Sequence, residues 1–450
     1  MAMEGVAIRG FMIMLALINF GSQPSAAAKV VANRRLFSFG VTGDFNLFTD
    51  PKSGIAGVNE PEDVWGDLLT TLRGFDALLM NHESSIASIY PDRHSSGYRY
   101  EDPKHFLRAL TAANNVTWIG QANNHQFDFW GEGVNHTIST LQKHRLLYGG
   151  LGSFEEVRKP VLIPIPGNNS GINRRLAVFS LVAQTCHRRE NGSAIMTSCT
   201  CGLPSSMSGL PPRQCYAANA TAPGLWYFDF PVGETAVTEI ADAINRHRDT
   251  EEGQGDFIVL YMHSGPNFEW NPSGERETFM RALAARSSVD MIWGTSSHHI
   301  QRMEEHAGVP IIYGVGDLLF RFIPGVTFPT ACEQGQSPCE QFRPEISVVY
   351  EFILSDALDD DCAGPSKKKN KNGGEGRKGL PRQQQRRRPK LEAIRAHITS
   401  HDNFTVNHAS ADDKHWAMTI FNELSHGQGY RMEVEPSDGS IWVLRPGRKG

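Results

Sequence analysis

The sequence predicts an α/β protein, and three observations carry that expectation. Short apolar runs with the composition of buried strands alternate with amphipathic helical stretches. One run after another ends in Asp, Asn, Glu or His, at the place where open α/β sheets put their ligands. The 450 residues, 40% hydrophobic and 21% charged, can bury a substantial core. Length alone fits two or three domains or one large one.

Taken in order, the chain opens with Arg9 ahead of the apolar run Phe11-Met12-Ile13-Met14-Leu15-Ala16-Leu17-Ile18, followed by Ala26-Ala27-Ala28. This is the pattern of a secretory signal over 1–28, cleaved before Lys29, and the run is too short to span a bilayer comfortably. Residues 35–42 read as a first strand, ending at Gly43-Asp44-Phe45-Asn46. An ordinary Gly-Asp turn explains that ending; so does a carboxylate pointing into the mouth of a sheet. A helix is expected around 61–72, then a strand over 75–80 that ends at Asn81-His82-Glu83. Residues 103–114 are amphipathic, with Phe106, Leu107 and Leu110 on one face, and lead into a strand over 116–120.

That third strand delivers the densest polar stretch, Gln121-Ala122-Asn123-Asn124-His125-Gln126-Phe127-Asp128. An amide, an imidazole and a carboxylate so close together can bind a metal or position a water. Turn chemistry competes with that reading, since Asn-Asn favours left-handed turns and Asp128 could cap the helix through Thr137, Leu141 and His144. The Gly-rich residues 147–152 lack the spacing of a dinucleotide or phosphate loop and read as a plain loop. Further strands are expected over 176–182, 257–262, 289–293 and 309–313, with helices over 235–247 and 275–286. The last three of those strands end at His263-Ser264-Gly265-Pro266-Asn267, at Gly294-Thr295-Ser296-Ser297-His298-His299 and at Gly314-Val315-Gly316-Asp317. A lone histidine at a strand end is ordinarily a packed one. Three histidines at two such ends make that explanation less economical.

Composition adds the compartment. Six N-x-S/T sequons, at Asn115, Asn135, Asn168, Asn191, Asn219 and Asn403, suit a secreted chain and matter only in a glycosylating organism. Seven cysteines in an oxidising compartment point to disulfides. Cys186, Cys199, Cys201 and Cys215 fall in one insertion over 184–223, Cys332 and Cys339 close a second loop, and Cys362 is left over; spacing leaves the connectivity open. The net charge of −5 hides an asymmetry: Lys367 to Lys390 carries 11 Lys/Arg against one acid, Glu375, leaving about −15 elsewhere. This stretch has no apolar period and reads as a disordered basic insertion over 363–390. A solvated loop is its default; contact with polyanions or phospholipid is the alternative, and a specific nucleic-acid role is not expected.

Six short motifs in chain order resemble the CapA family of capsule and poly-γ-glutamate synthesis proteins. They are Gly43-Asp44, Asn81-His82-Glu83, Asn123-Asn124-His125 with Asp128, His263-Ser264-Gly265-Pro266-Asn267, Gly294 to His299, and Tyr313-Gly314-Val315-Gly316-Asp317. The resemblance covers about 36–319, and a strand–helix–strand pattern near 416–444 completes it. It implies a four-layer α-β-β-α sandwich similar to calcineurin-like metallophosphatases: a core domain over 35–355 completed by 391–446. It also implies one or two divalent ions, manganese, zinc or iron, at the strand C-terminal edge. Carried over position by position, Asp44, Glu83, Asn124, His125, His263 and His298 are the metal-ligand candidates. Alternatively, His125 and Asp128 form a catalytic, proton-handling pair; Asn46, Asn81, Asn123, Asn267, His299 and Asp317 are the supporting residues. Two ions would activate a hydroxide and stabilise a developing oxyanion, which suits hydrolysis of a phosphoester or a polymer amide.

The chain departs from the family pattern at three places. Ser264 stands where Trp is usual, Thr295 replaces a histidine that many members carry, and Arg321-Phe322 follow where an Asp-Tyr pair is frequent. Losing an imidazole and adding a guanidinium weakens a two-metal site. Two functions therefore compete, a secreted or surface metal-dependent hydrolase and a catalytically silent protein that binds or attaches an anionic polymer, with a purely structural module as the third alternative.

Overall fold

A computed structural model describes residues 37–445, except 48, 51–53, 56–57, 88–99, 114–115, 166–173, 185–186, 191–192, 197–215, 266–268, 321–338, 356–388 and 403–404. The expected signal, Arg321, Asn267, most of the basic insertion and all the cysteines but Cys339 lie outside the described residues. So do the sequons at Asn115, Asn168, Asn191 and Asn403.

The chain forms a mixed α/β structure with several sheets. It runs through β1 (Phe37–Asn46), helix α1 (Leu69–Gly74), β2 (Ala77–His82), α2 (Pro103–Ala113), β3 (Val116–Gly120), α3 (Trp130–Lys143) and β4 (Tyr148–Gly149). Next come β5 (Val161–Ile165), β6 (Arg174–Gln184), β7 (Tyr227–Asp229), α4 (Glu234–Asp249), β8 (Phe257–His263), α5 (Gly274–Arg286) and β9 (Met291–Thr295). The remainder is β10 (Met303–His306), β11 (Val309–Ile312), β12 (Asp317–Phe320), β13 (Ile346–Ser355), β14 (Lys390–His401), β15 (Val406–His408), α6 (Ala411–Leu424), β16 (Arg431–Val434) and β17 (Ile441–Leu444).

The 10-stranded sheet has the order β16-β17-β14-β13-β1-β2-β3-β4, with β12 beside β1 and β15 beside β14. The 7-stranded sheet has the order β5-β6-β8-β9-β11-β10, with β7 beside β6. In each, the central strands that end at the polar motifs run parallel: β1, β2, β3 and β4 in the first, β6, β8, β9 and β11 in the second. Parallel strands covered on both faces read as continuous apolar runs, which is why β8 is buried along its whole length.

One apolar cluster joins the facing sides of the two sheets. Phe39 of β1 meets Phe257 of β8 with ring centroids 6.1 Å apart, and Trp118 of β3 meets Tyr261 and Trp293 at 5.6 and 6.0 Å. A second cluster joins the other side of the 7-stranded sheet to α4 and α5 through Val237, Ile240, Ile244, Phe279, Met280 and Leu283. A third joins the other side of the 10-stranded sheet to residues 61–72 and α2. The result brings the C-terminal ends of both sets of parallel strands to one edge. Among the described residues no helix is long and apolar enough to cross a membrane.

Two local expectations change. The helix expected over 61–72 is a 3-10 stretch, Pro61–Leu68, broken within by Gly66 at φ 44° and followed by α1. A Cβ there would lie 2.1 Å from Asn407 Oδ1 and 2.6 Å from Val406 O, so close packing of β15 interrupts the helix. The loop expected over 147–152 contains two short strands: β4 joins the first sheet and Leu151–Gly152 pairs with Gly224–Leu225. Two-residue strands are too short to leave a period in the sequence.

Candidate metal centre

The site begins where β1 changes neighbour. Residues Phe37 to Val41 pair antiparallel with β13, whereas Asp44 to Asn46 pair parallel with β12. At the switch, a Cβ on Gly43 would sit 1.7 Å from Gly316 O, and Gly316 itself adopts φ 83°. Only glycine lets the two backbones approach this closely, and the approach aligns Asp44 with Asp317 as register partners. Both carboxylates are buried. Asp44 Oδ1 accepts a hydrogen bond from Asn81 at the end of β2, and Oδ2 accepts one from Ser296 N at 3.1 Å. Glu83 lies just past β2, wholly buried, and its backbone carbonyl accepts from Asn46 Nδ2 at 3.2 Å.

The second sheet supplies two imidazoles. His263 ends β8; its Nε2 lies 2.9 Å from Asn124 Oδ1 and 3.5 Å from Glu83 Oε1, and its Nδ1 lies 3.0 Å from Thr295 Oγ1. His298 follows β9 in a loop whose Ser296 and His298 adopt φ 82° and 57°. Non-glycine residues held in that region store strain, a feature that collects at functional sites. The loop delivers His298 Nδ1 to 2.8 Å from Asp317 Oδ1 and 3.5 Å from Asp44 Oδ2.

The turn after β3 closes the edge. Asn123, extended at φ −151°, accepts from His125 N through its own side chain, and its Nδ2 donates to His82 O at 2.7 Å. A 3-10 turn over Asn124–Phe127 then places Asn124 beside His263 and His125 Nε2 3.7 Å from Glu83 Oε1. The N-cap position of α3 belongs to Phe129, not Asp128; Asp128 ends the 3-10 turn, and its Oδ2 lies 2.7 Å from His125 Nδ1. This pair sits at the rim, with side chains 16% and 14% exposed.

Burial sets the electrostatics. It pushes the Asp44 carboxyl up to about 6, helped by the charge of Asp317 and opposed by His298 and by the hydrogen bond from Asn81. Burial pulls His263 well below the ordinary histidine value, and the charges of His298, His125 and Arg276 add to the effect. A neutral imidazole beside buried carboxylates is the state that binds a cation.

Asp44, Glu83 and His298 each offer one ligand atom, and these atoms lie within 4.8 Å of one another. Two carboxylates and an imidazole, all buried, form a donor set that suits manganese, zinc or iron. Asn46 Oδ1, also buried, has no hydrogen-bond partner among the described residues. Of the remaining candidates, His125 and His263 lie 3.7 and 3.5 Å from Glu83 Oε1, Asn124 meets His263, Asn81 and Asp317 hold Asp44 and His298, and Asn123 holds the backbone of His82 and His125. His299 turns elsewhere: Nδ1 meets Ser297 O at 2.6 Å, Nε2 meets Glu269 O at 2.8 Å, and Trp270 and Phe342 pack on its ring.

Residues that motif reading passed over also build the edge. Arg276, fully buried in the first turn of α5, donates to Ser264 Oγ at 2.7 Å, to Gln301 Oε1 at 2.8 Å, and to the carbonyls of Thr295 and Tyr313. It thereby ties together the ends of β8, β9 and β11. Arg276 stands among charged helix residues, and nothing in its neighbourhood in sequence marks it as buried.

The profile of the family described as bacterial capsule synthesis protein PGA_cap matches residues 38–321. Two proteins of Mycobacterium tuberculosis strains, each named probable polyglutamine synthesis accessory protein, are 26% identical over 298 residues, or 65% of this chain. That match spans 66% of their length. The PGA biosynthesis protein CapA of Bacillus subtilis is 23% identical over 207 residues, covering 46% of this chain and 43% of that protein.

Proposed function

The chain belongs to the bacterial capsule synthesis protein family, and from that premise we propose that it is a secreted or cell-surface, divalent-metal-dependent hydrolase that works on an anionic polymer of the polyglutamate kind, cleaving a polymer amide or a phosphoester. The observation that carries the reading is the convergence of Asp44, Glu83 and His298, from three strand ends, on a space 4.8 Å across. We read the two stacked sheets and their flanking helices as the four-layer plan of the metallophosphatase-like superfamily. Secretion rests on the apolar run Phe11 to Ile18 and the Ala26-Ala27-Ala28 that follows.

Asp44, Glu83 and His298 would hold one ion; Asn124, His125 and His263, with Glu83 between the two sets, would hold a second. When bound, such ions lower the pKa of a water and stabilise the oxyanion that forms on its attack. The chain's own residues do the rest. Asn81 and Ser296 N aim the Asp44 oxygens, and Asp317 orients the His298 ring. Asp128 holds His125 by Nδ1 at 2.7 Å, which would turn the Nε2 lone pair to the second ion; with a single ion bound, the same pair would handle a proton instead.

The test is elemental analysis of the purified mature protein beside His125→Ala and His298→Ala. Stoichiometric manganese, zinc or iron, lost in both variants, is the expected result, and a screen of phosphoester and γ-glutamyl substrates follows from it. Absence of metal after loading overturns the reading.

A second reading, a polymer-binding protein without catalysis, draws on Thr295, which offers His263 a hydroxyl at 3.0 Å where an additional imidazole would strengthen an ion site. The basic stretch Lys367 to Lys390 would supply attraction for a polyanion. Polymer binding that does not weaken with salt excludes it.

A further inference from the structure

We propose that Arg276 is a positioning residue for the ion site, acting on Asp44 through the single peptide group between Thr295 and Ser296. The inference rests on the metal-site reading given above.

The guanidinium is fully buried, yet its hydrogen bonds go to neutral acceptors: Ser264 Oγ, Gln301 Oε1 and the carbonyls of Thr295 and Tyr313. No carboxylate among the described residues pairs with it directly. Arg302, also buried, is held differently and pairs with Glu277 at 2.7 Å. A buried charge without a counter-charge is strongly disfavoured, so the place where the Arg276 charge is balanced decides what the residue does.

That place is reached through one peptide. Arg276 Nη2 donates to Thr295 O at 3.3 Å, and the N–H at the other end of the same peptide, on Ser296, donates to Asp44 Oδ2 at 3.1 Å. The peptide is trans, so its C=O and N–H point in opposite directions. The cation therefore faces the negative end of the peptide dipole and the carboxylate faces the positive end, and each bond polarises the other. Both charged groups are wholly buried, where such effects are least screened.

The backbone at this peptide is strained. Ser296 adopts φ 82°, a left-handed value that serine keeps only under constraint, and His298, two residues on, adopts 57°. If the peptide turned over, Ser296 would relax to a negative φ, its N–H would leave Asp44, and the loop that delivers His298 would move with it. Ser264 N also donates to Thr295 O at 3.3 Å, but a backbone N–H brings no charge to the carbonyl. Arg276 thus clamps two members of the ligand set, Asp44 and His298, without a hydrogen bond to either. Loss of residues that hold metal ligands in place typically weakens metal affinity about 10- to 100-fold.

The experiment uses the whole mature protein as wild type, Arg276→Gln and Arg276→Lys. Amide 1H–15N spectra of the metal-free protein report the Ser296 N–H, and calorimetric titration with Zn2+ reports affinity. In Arg276→Gln the expected result is a Ser296 amide proton moved upfield, as its bond to Asp44 weakens, and a zinc affinity about 10- to 100-fold lower. Arg276→Lys, which keeps a cationic donor within reach of Thr295 O, is expected to lie closer to wild type in both. A zinc affinity in Arg276→Gln equal to that of wild type overturns the proposal and leaves Arg276 a structural tie, with the metal site intact. A displaced Ser296 signal in Arg276→Gln, in a protein whose wild type binds no zinc, supports the clamp and overturns the metal-site reading instead. Should both Arg276 variants fail to fold, wild type decides through the coupling across the hydrogen bond between Ser296 15N and the side-chain carboxylate 13C of Asp44: its presence supports the clamp, and its absence overturns it.

Discussion

The two sheets contribute unlike halves to the site. Ends of the first sheet carry the carboxylates Asp44, Glu83 and Asp317, whereas ends of the second carry the imidazoles His263 and His298. The first half is acidic and buried, which drives the Asp44 carboxyl up to about 6 because burial penalises its charge. The second is basic and buried, which drives His263 down for the same reason. Neither half makes a stable cation site alone. Stacking the sheets places the carboxylates within a few ångströms of the imidazoles, and a metal ion would complete the balance.

The sharpest way to break this arrangement is to release the imidazole half from its anchor. Arg276→Met leaves Ser264, Gln301 and two carbonyls without their buried donor, and is expected to cost about 3–5 kcal/mol of stability, read as a lower urea midpoint at constant slope. An unchanged midpoint would mean that the strand ends hold themselves in place. On the acidic side, Asp44→Ala removes one of the three proposed ligands of the first ion. If these share the roughly 10–16 kcal/mol of a tight site, the loss is on the order of a thousand-fold in metal affinity. Calorimetry with Zn2+ or Mn2+ measures it, and a loss below about tenfold would remove Asp44 from the ligand set.

A smaller effect separates the fold of the first sheet from the site. His401 on β14 is held neutral by burial, which depresses it to about 4 from an ordinary 6.5. Between those values the unfolded chain binds a proton that the folded protein refuses. Stability is therefore full above pH 6.5 and falls as the pH drops toward 4, by at most about 3 kcal/mol from this group. His401→Gln should flatten that part of the stability profile in chemical denaturation; an unaltered slope would assign it to other histidines. Smallest is the rim pair. Asp128→Asn should leave the urea midpoint within about 0.5 kcal/mol of wild type and lower kcat on a cleavable substrate about 10- to 100-fold, the cost of letting the His125 ring turn. Equal kcat values would make the pair structural.

Much of this architecture was legible residue by residue. The runs at 75–80, apolar except for Asp76, and 257–262 announced strands, because burial on both faces selects apolar side chains. The polar endings at Asp44, Glu83, His263 and His298 stood out against those runs, and their order carried the family resemblance. Two competing explanations of one stretch were separable only in three dimensions. Asp128 could have capped α3, and the structure pairs it with His125 instead. His299 read as a supporting residue beside the ligand candidate His298, yet a positive φ at His298 sends the two rings to different surroundings.

By itself, then, the sequence determined which chemistry stands at the end of each strand, since periodicity and composition act over a few residues. Tertiary structure decided which ends meet. Ser296 N reaches Asp44 across 252 residues of chain, and no local pattern encodes that bond. It depends on Phe39 packing against Phe257 and Trp118 against Tyr261 and Trp293, which stack the sheets in the one alignment that brings carboxylates and imidazoles face to face. Gly43 and Gly316 then permit the backbone approach that sets Asp44 beside Asp317, a steric allowance that exists only once both strands are in place.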